Sequence, residues 1–328
     1  MTSPSSSRGA GIALALLSAA TFGTSGSFAR SLLDAGWSPA AAVAARVTVA
    51  ALILLLPTLW SLRGRAPVVR RNLPLILVYG LIAVAGAQLF FFNAVASIPV
   101  GIALLLEYLG TILVVGWMWL RHGQRPRRLT AFGSILALGG LVLVLNPSTG
   151  KGGLDPAGVV WGLGAAVGLA TFFVLSAKSN ADLPPLSLAG LGLSVAAITL
   201  LTAGIFGVAP MTATFGSVDF AGRKVSWLVP VLGLSVVAAA ISYLAAIAAA
   251  RALGPRLSSF VGLTEVLFAA FFAWLFLGEA PAAAQMAGGA LIIGGVVLVH
   301  MDEMRGLDRE AGPDGWLRAE PAGPLSTS

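Results

Sequence analysis

Long apolar runs, separated by short gaps, dominate the chain. Crossing a bilayer takes about 20 mostly apolar residues in one helix. Ten stretches meet that requirement: roughly 10–30, 39–60, 74–96, 99–120, 130–147, 157–177, 186–208, 227–250, 257–277 and 281–300. The gaps carry recognisable breaks. Pro39, Pro99 and Pro281 stand where a helix can begin, since an amide proton in the first turn has no partner anyway. Arg63, Arg65, Arg70 and Arg71 flank the second gap. Asn146–Pro147 and the run Gly150–Lys151–Gly152–Gly153 close a first half, and Asp155–Pro156 opens a second. Beyond Met301 the residues are charged and rich in Gly and Pro, without apolar period, which predicts disorder.

The stretch Ser97–Pro147 occurs twice. Shifted by about 155 positions it lies without a gap on Ala252–Asp302. Trp119–Leu120 then falls on Trp274–Leu275, Gly123 on Gly278, Pro126 on Pro281, Gly133 on Gly288 and Gly139–Gly140 on Gly294–Gly295. Leu and Val matches arise by chance in apolar sequence; ordered Trp, Gly and Pro matches do not. The chain therefore reads as an all-α integral membrane protein of ten transmembrane helices, in two homologous five-helix repeats. The expected division is an N-terminal tail 1–9, a first repeat 10–147, a linker 148–156, a second repeat 157–300 and a disordered cytoplasmic tail 301–328.

Composition agrees with a lipid setting. The 328 residues are 57% hydrophobic and only 10% charged, with a mean hydropathy of +0.92. A water-facing globular surface needs about 25% charged residues. There is no Cys, so disulfides and thiolate metal sites are excluded. The N-terminal Arg8 before an apolar run imitates a signal peptide, but the run continues through Phe28 and reads as a first membrane helix.

The net charge of +7 is explained by topology and does not call for nucleic acid. With the N-terminus inside and ten segments threaded, fifteen basic residues fall in cytoplasmic gaps and tails. Only Arg30, Lys151, Arg223 and Lys224 fall outside. The positive-inside rule accepts this arrangement, which places both termini in the cytoplasm of a multi-pass cell-membrane protein. Five segments per half is an odd number, so the halves must insert with opposite topology. The gap between the third and fourth segments has no charge, whereas its counterpart between the eighth and ninth holds Arg251 and Arg256. That switch is what an inverted repeat requires.

The segments LTEV at Leu263–Val266 and LFLGEAP at Leu275–Pro281 resemble the EamA domains of the drug/metabolite transporter superfamily. The segment LLEYLGT, ending at Thr111, resembles the amino-acid exporter branch of the threonine and homoserine type. The resemblance covers about residues 10–300. It departs from the family pattern at Gly123–Gln124, where Gly–Glu is frequent, and at Thr111 and Val266, where Pro is common. It implies a secondary active transporter that exports small metabolites such as amino acids by alternating access.

Three ionisable residues lie well inside the predicted helices: Arg46, Glu107 and Glu265. A charge at the centre of a membrane helix costs at least about 2.5–3.5 kcal/mol, so each is expected to face a partner or a wet cavity. Arg46 is seven residues from Pro39 and Glu107 eight from Pro99. At 1.5 Å per residue both sit roughly 10–12 Å below the outer ends of their helices, a depth that allows them to pair. The plainer alternative has Arg46 snorkelling outward and Glu107 serving as a structural hydrogen-bonder. Glu265 aligns in the repeat with Gly110, one helical turn from Glu107, so both carboxyls can face one axis. A carboxyl in a dehydrated pocket can bind and release a proton, which suits proton coupling. Helix packing through a hydrogen-bonded Glu is the competing reading.

Gln88 aligns with Tyr243, and Asn93 lies nearer the outer end of the same segment, accompanied by Phe90, Phe91 and Phe92. Amides and aromatics of this kind suit a pocket for a small amphipathic solute, with Trp161 as a cap. Any one of these aromatics can equally be core or an interface anchor. The pairs Gly133/Gly140 and Gly288/Gly295 make smooth stripes suited to packing supports or a homodimer seam.

The rival class is an intramembrane enzyme acting on a lipid-soluble substrate. His122 and His300 stand at helix ends without metal-ligand spacing, and no Gly-rich phosphate loop is present. No motif implies a cofactor or metal. The partners expected are a small-molecule substrate, protons and the bilayer.

Overall fold

The computed structural model describes residues 4–98, 100–145, 155–178, 183–278 and 282–310. Its first half runs α1 (Pro4–Gly23), α2 (Ser25–Asp34), α3 (Pro39–Ser61), α4 (Ala66–Val78), a π-helical segment (Tyr79–Gly86), α5 (Ala87–Ser97), α6 (Val100–Tyr108), α7 (Gly110–His122) and α8 (Arg128–Leu145). The second half runs α9 (Pro156–Ser176), α10 (Pro185–Ile205), a hairpin of β1 (Ser217–Phe220) and β2 (Arg223–Ser226), α11 (Leu228–Leu232), a second π-helical segment (Gly233–Ile241), α12 (Ser242–Gly262), α13 (Glu265–Leu277) and α14 (Ala283–Glu310).

The helix starts follow the sequence signals. Ser38 caps α3 by accepting from the Ala41 amide at 3.2 Å, with Pro39 in the first turn. Asp155 caps α9 in the same way, accepting from Ala157 at 3.1 Å with Pro156 beside it. The ends of α7 and α13 match each other. Each stops at a glycine in the left-handed region, Gly123 (φ 66) and Gly278 (φ 74), where a side chain would be strained. Gly254, at φ 81, breaks α12 just before Pro255.

Among the described residues, nine helical stretches are long and apolar enough to cross a membrane. The predicted segment 257–277 is not one regular helix. It begins in the last turns of α12 and resumes, after a break at Leu263–Thr264, as the shorter α13. The break has a counterpart 155 positions earlier, at Leu109 between α6 and α7. At both places the chain tightens into i→i+3 turns: Ile112 donates to Leu109 at 2.9 Å, and Val266 to Leu263 at 3.3 Å. The two π-helical segments are related by the same offset.

Two boundaries move. Helix α1 already begins at Pro4, inside the expected N-terminal tail. Residues 301–310, expected to be disordered, continue α14. There Asp302 is buried and accepts a 2.6 Å hydrogen bond from Thr130, so this part of the tail is held by packing. Residues 311–328, the linker core 146–154, Pro99 and Pro281 lie outside the described residues.

Packing pairs distant segments. Helix α8 lies against α14, α3 against α10, α1 against α12, and α9 against α5 and α6. The α8–α14 contact is antiparallel and made by the glycine stripes. Gly133 meets Gly295 and Gly140 meets Gly288, backbone to backbone, with no room for a Cβ. The stripes are thus consumed inside one chain, as packing supports and not as a homodimer seam. One buried core gathers side chains from α3, α9, α10 and both π-helical segments, and a second gathers side chains from α1, α8, α12 and α14. Large apolar side chains elsewhere remain exposed, Trp60 at 79% and Leu120 at 83% among them, as a lipid-facing surface requires.

Candidate functional site

A cavity of about 670 Å3 lies among α1, α2, α3, α5, α6, α9, α12 and α13. At one end its walls include Arg30, Leu33 and Pro39, all exposed, together with Phe92, Leu145 and Gln285. At the other end they include Ala15, Ser18 and Ser258, all buried. The cavity is therefore open at one end and shut at the other. The shut end is tied by Arg8 paired with Glu303 at 3.2 Å, by Thr130 on Asp302, and by Arg256 donating to the Gln124 carbonyl at 3.1 Å.

Five of the seven residues singled out from the sequence line this cavity: Arg46, Gln88, Glu107, Tyr243 and Glu265. They come from helices far apart in sequence. Gln88 and Tyr243 each follow a π-helical segment, one turn or less beyond its end. Such segments carry an extra residue per turn and re-aim the helix that follows.

Arg46 is buried and anchored. One terminal nitrogen donates to the Ala238 carbonyl at 2.6 Å and the other to Ser25 Oγ at 3.2 Å. Ala238 belongs to the second π-helical segment, where the i→i+5 pattern offers a carbonyl to an outside donor. The guanidinium also lies 5.0 Å from the Phe22 ring centroid. Its Nε is buried, with no hydrogen-bond partner among the described residues. The expected Arg46–Glu107 ion pair is not made: among the described residues the ion pairs are Arg8–Glu303 and Arg30–Asp34. The Arg46 charge acts instead on Glu265 and Tyr243, which α13 and α12 bring to the same cavity. Glu107 and Glu265 face one cavity within reach of each other's charge, and the Tyr108 hydroxyl lies beside Glu265.

Aromatic rings floor the site. Phe22 lies 5.3 Å from Tyr243, and Phe172 meets Tyr243 edge-on at 5.6 Å.

Two expected members stand elsewhere. Asn93 is exposed and donates to Leu89 within its own helix at 2.7 Å. Trp161 is 37% exposed and stacks on Phe90 at 5.6 Å, away from the cavity lining. Both point off the faces of α5 and α9 that meet the cavity, so depth along the helix was a poor guide to direction.

Sequence reading missed Phe22, Ser25, Tyr108 and Phe172, which also line the cavity. A signal existed for Ser25: the run Gly23–Thr24–Ser25–Gly26 interrupts the first apolar stretch, and the α1–α2 break falls there. Among the described residues no three His, Asp or Glu side chains gather as a metal site would need.

Comparison with known proteins accords with this geometry. The model of the EamA-like transporter family matches residues 9–146 and again 156–301. A protein of Archaeoglobus fulgidus described as an uncharacterized transporter is 26% identical over 208 residues, which cover 63% of this chain and 70% of the relative. A solved crystal structure shares the fold with a TM-score of 0.71 at 23% identity, covering 92% of this chain and 98% of that one.

Proposed function

The chain belongs to the EamA-like transporter family, and on that premise we propose that it is a secondary active transporter that exports small metabolites such as amino acids across the cell membrane. The observation that carries this reading is a cavity open at one end and shut at the other, into which one buried cation, two carboxyls and several aromatics converge. A solute with an anionic group and an ammonium group would place the first against Arg46 and the second against Glu107 and Glu265. Its side chain would lie on Phe22, Tyr243 and Phe172. Protons are the proposed coupling ion, exchanged at the two carboxyls as the cavity opens to one side and then the other.

In this proposal ten membrane-crossing stretches form two inverted halves, and both termini are cytoplasmic. The support is the reciprocal packing of α8 with α14 and of α3 with α10, together with the matched breaks and π-helical segments at one offset. The open mouth then faces outside, where few basic residues lie. Alternating access would close it and open the end tied by Arg8–Glu303.

The test is a solute screen on reconstituted vesicles with an imposed proton gradient. Amino-acid flux should follow the gradient, and Arg46→Ala and Glu265→Gln should each lower it at least about tenfold, the loss expected for a buried charged contact. Gradient-independent flux, untouched by either change, would overturn the reading.

A further inference from the structure

We propose that the Ser25 hydroxyl is a binding residue that, together with Arg46, fixes a carboxylate of the solute. The proposal rests on the reading above, in which Arg46 receives the solute's anionic group. The two acceptors of the Arg46 guanidinium are unlike. The Ala238 carbonyl belongs to a fully buried residue outside the cavity lining, and its bond is 2.6 Å long. Ser25 lines the cavity, and its bond is 3.2 Å long. One nitrogen of the fork is thus anchored in the wall, and the other is held at the cavity. A carboxylate entering there outcompetes a neutral hydroxyl oxygen for that second nitrogen, since a bond between two ionised groups is the stronger.

Ser25 also has a proton to give. The hydroxyls around it donate to carbonyls: Ser18 to Ser242 at 3.0 Å, Thr21 to Leu17 at 2.8 Å, Thr24 to Thr21 at 2.6 Å and Ser31 to Phe28 at 2.9 Å. Ser25 accepts from Arg46, and among the described residues its own proton has no acceptor. Thr24 already takes the Thr21 carbonyl, the acceptor that a serine at 25 would use four residues back. The break between α1 and α2 sets this arrangement, and packing fixes the break. A Cβ on Gly23 would stand 2.7 Å from Phe268 Cβ and 2.9 Å from the Ala269 nitrogen, so the elbow rests directly on α13. Glu265 lies one helical turn before that seat. Two donors for a carboxylate therefore stand where the Arg46 charge still reaches Glu265, the partner proposed for the ammonium group.

In the open cavity water can replace the Ser25 oxygen beside Arg46, so Ser25→Ala costs the empty state little. With the solute bound, water is excluded and one carboxylate lone pair is left unmet. The probes are L-leucine, 4-methylpentanoate, which lacks its ammonium group, and 3-methylbutylamine, which lacks its carboxylate. Affinity is read from the thermal stabilisation of the purified full chain in detergent as each probe is titrated. Ser25→Ala should weaken L-leucine and 4-methylpentanoate about tenfold, the effect of one hydrogen bond to a charged group, and leave 3-methylbutylamine unchanged. Ser25→Thr keeps the hydroxyl and should keep both affinities. Ser31→Ala removes an α2 hydroxyl spent on its own helix and should change none. Equal losses for all three probes would make Ser25 structural and overturn the proposal. Unchanged affinities in Ser25→Ala, or no binding of either carboxylate by the parental chain, would overturn it as well. Proton-driven amino-acid flux tests the wider reading separately. Flux at parental affinity in Ser25→Ala would overturn the Ser25 site and leave the transporter standing. Carboxylate binding that depends on Ser25, in a chain that moves no amino acid, would uphold the site and overturn transport.

Discussion

Gly139 and Gly140 are neighbours in sequence, and alanine at each should have opposite effects. A Cβ on Gly140 would stand 2.8 Å from the Ile292 nitrogen and 2.9 Å from Leu291 Cβ, and closer still to the Gly288 carbonyl. The atoms in the way are mostly backbone, so no side chain can turn aside. Restoring ordinary contact needs α8 and α14 to part by roughly 1 Å, and a gap of that size forfeits up to about half of each contact along the seam. Overpacking of this kind costs about 1–3 kcal/mol. A Cβ on Gly139 meets nothing within 4 Å. There alanine stiffens an exposed helix position and gains up to about 1 kcal/mol. Thermal unfolding in detergent should therefore show Gly140→Ala lowered by several degrees and Gly139→Ala level or raised. Gly288→Ala, on the other side of the seam, should resemble Gly140→Ala, and the double variant should cost less than the sum, because one parting of the helices relieves both clashes. Equal unfolding temperatures for the two adjacent variants would refute the seam as described. So would a Gly140→Ala defect that vanished on dilution, since that would place the glycines between chains.

Three further outcomes are expected. Arg46→Lys should rescue little of the flux lost in Arg46→Ala, because an ammonium cannot reach Ser25 and Ala238 at once; transport by the lysine variant at the parental rate would remove the forked contact from the mechanism. Reporter fusions after Arg128 and after Met301 should read cytoplasmic and a fusion at Gly152 external, and an external reading after Met301 would break the proposed topology. Cysteine placed at Ser258, buried at the shut end, gives a single thiol in a chain without others; Glu303→Gln combined with Thr130→Val should raise its labelling several-fold by loosening that end, and unchanged labelling would show that these contacts do not hold it shut.

The sequence alone determined that the chain lives in lipid, because apolar runs of bilayer length with so few charges leave no other solvent. It also located the repeat, the glycine stripes and the charges that must avoid lipid, since each is a local property of residue type and spacing. Which charge meets which partner was decided by tertiary structure. Arg46 and Glu107 matched in depth, yet Arg46 is held by Ala238 and Ser25, because the second π-helical segment offers a carbonyl that no hydropathy pattern reveals. Direction around the helix axis decided the rest: Gln88 and Tyr243 face the cavity, while Asn93 and Trp161, equally polar or aromatic in sequence, face away. In a helix that is apolar on every side, little in the sequence marks the inward face. Only the neighbours packed around it do.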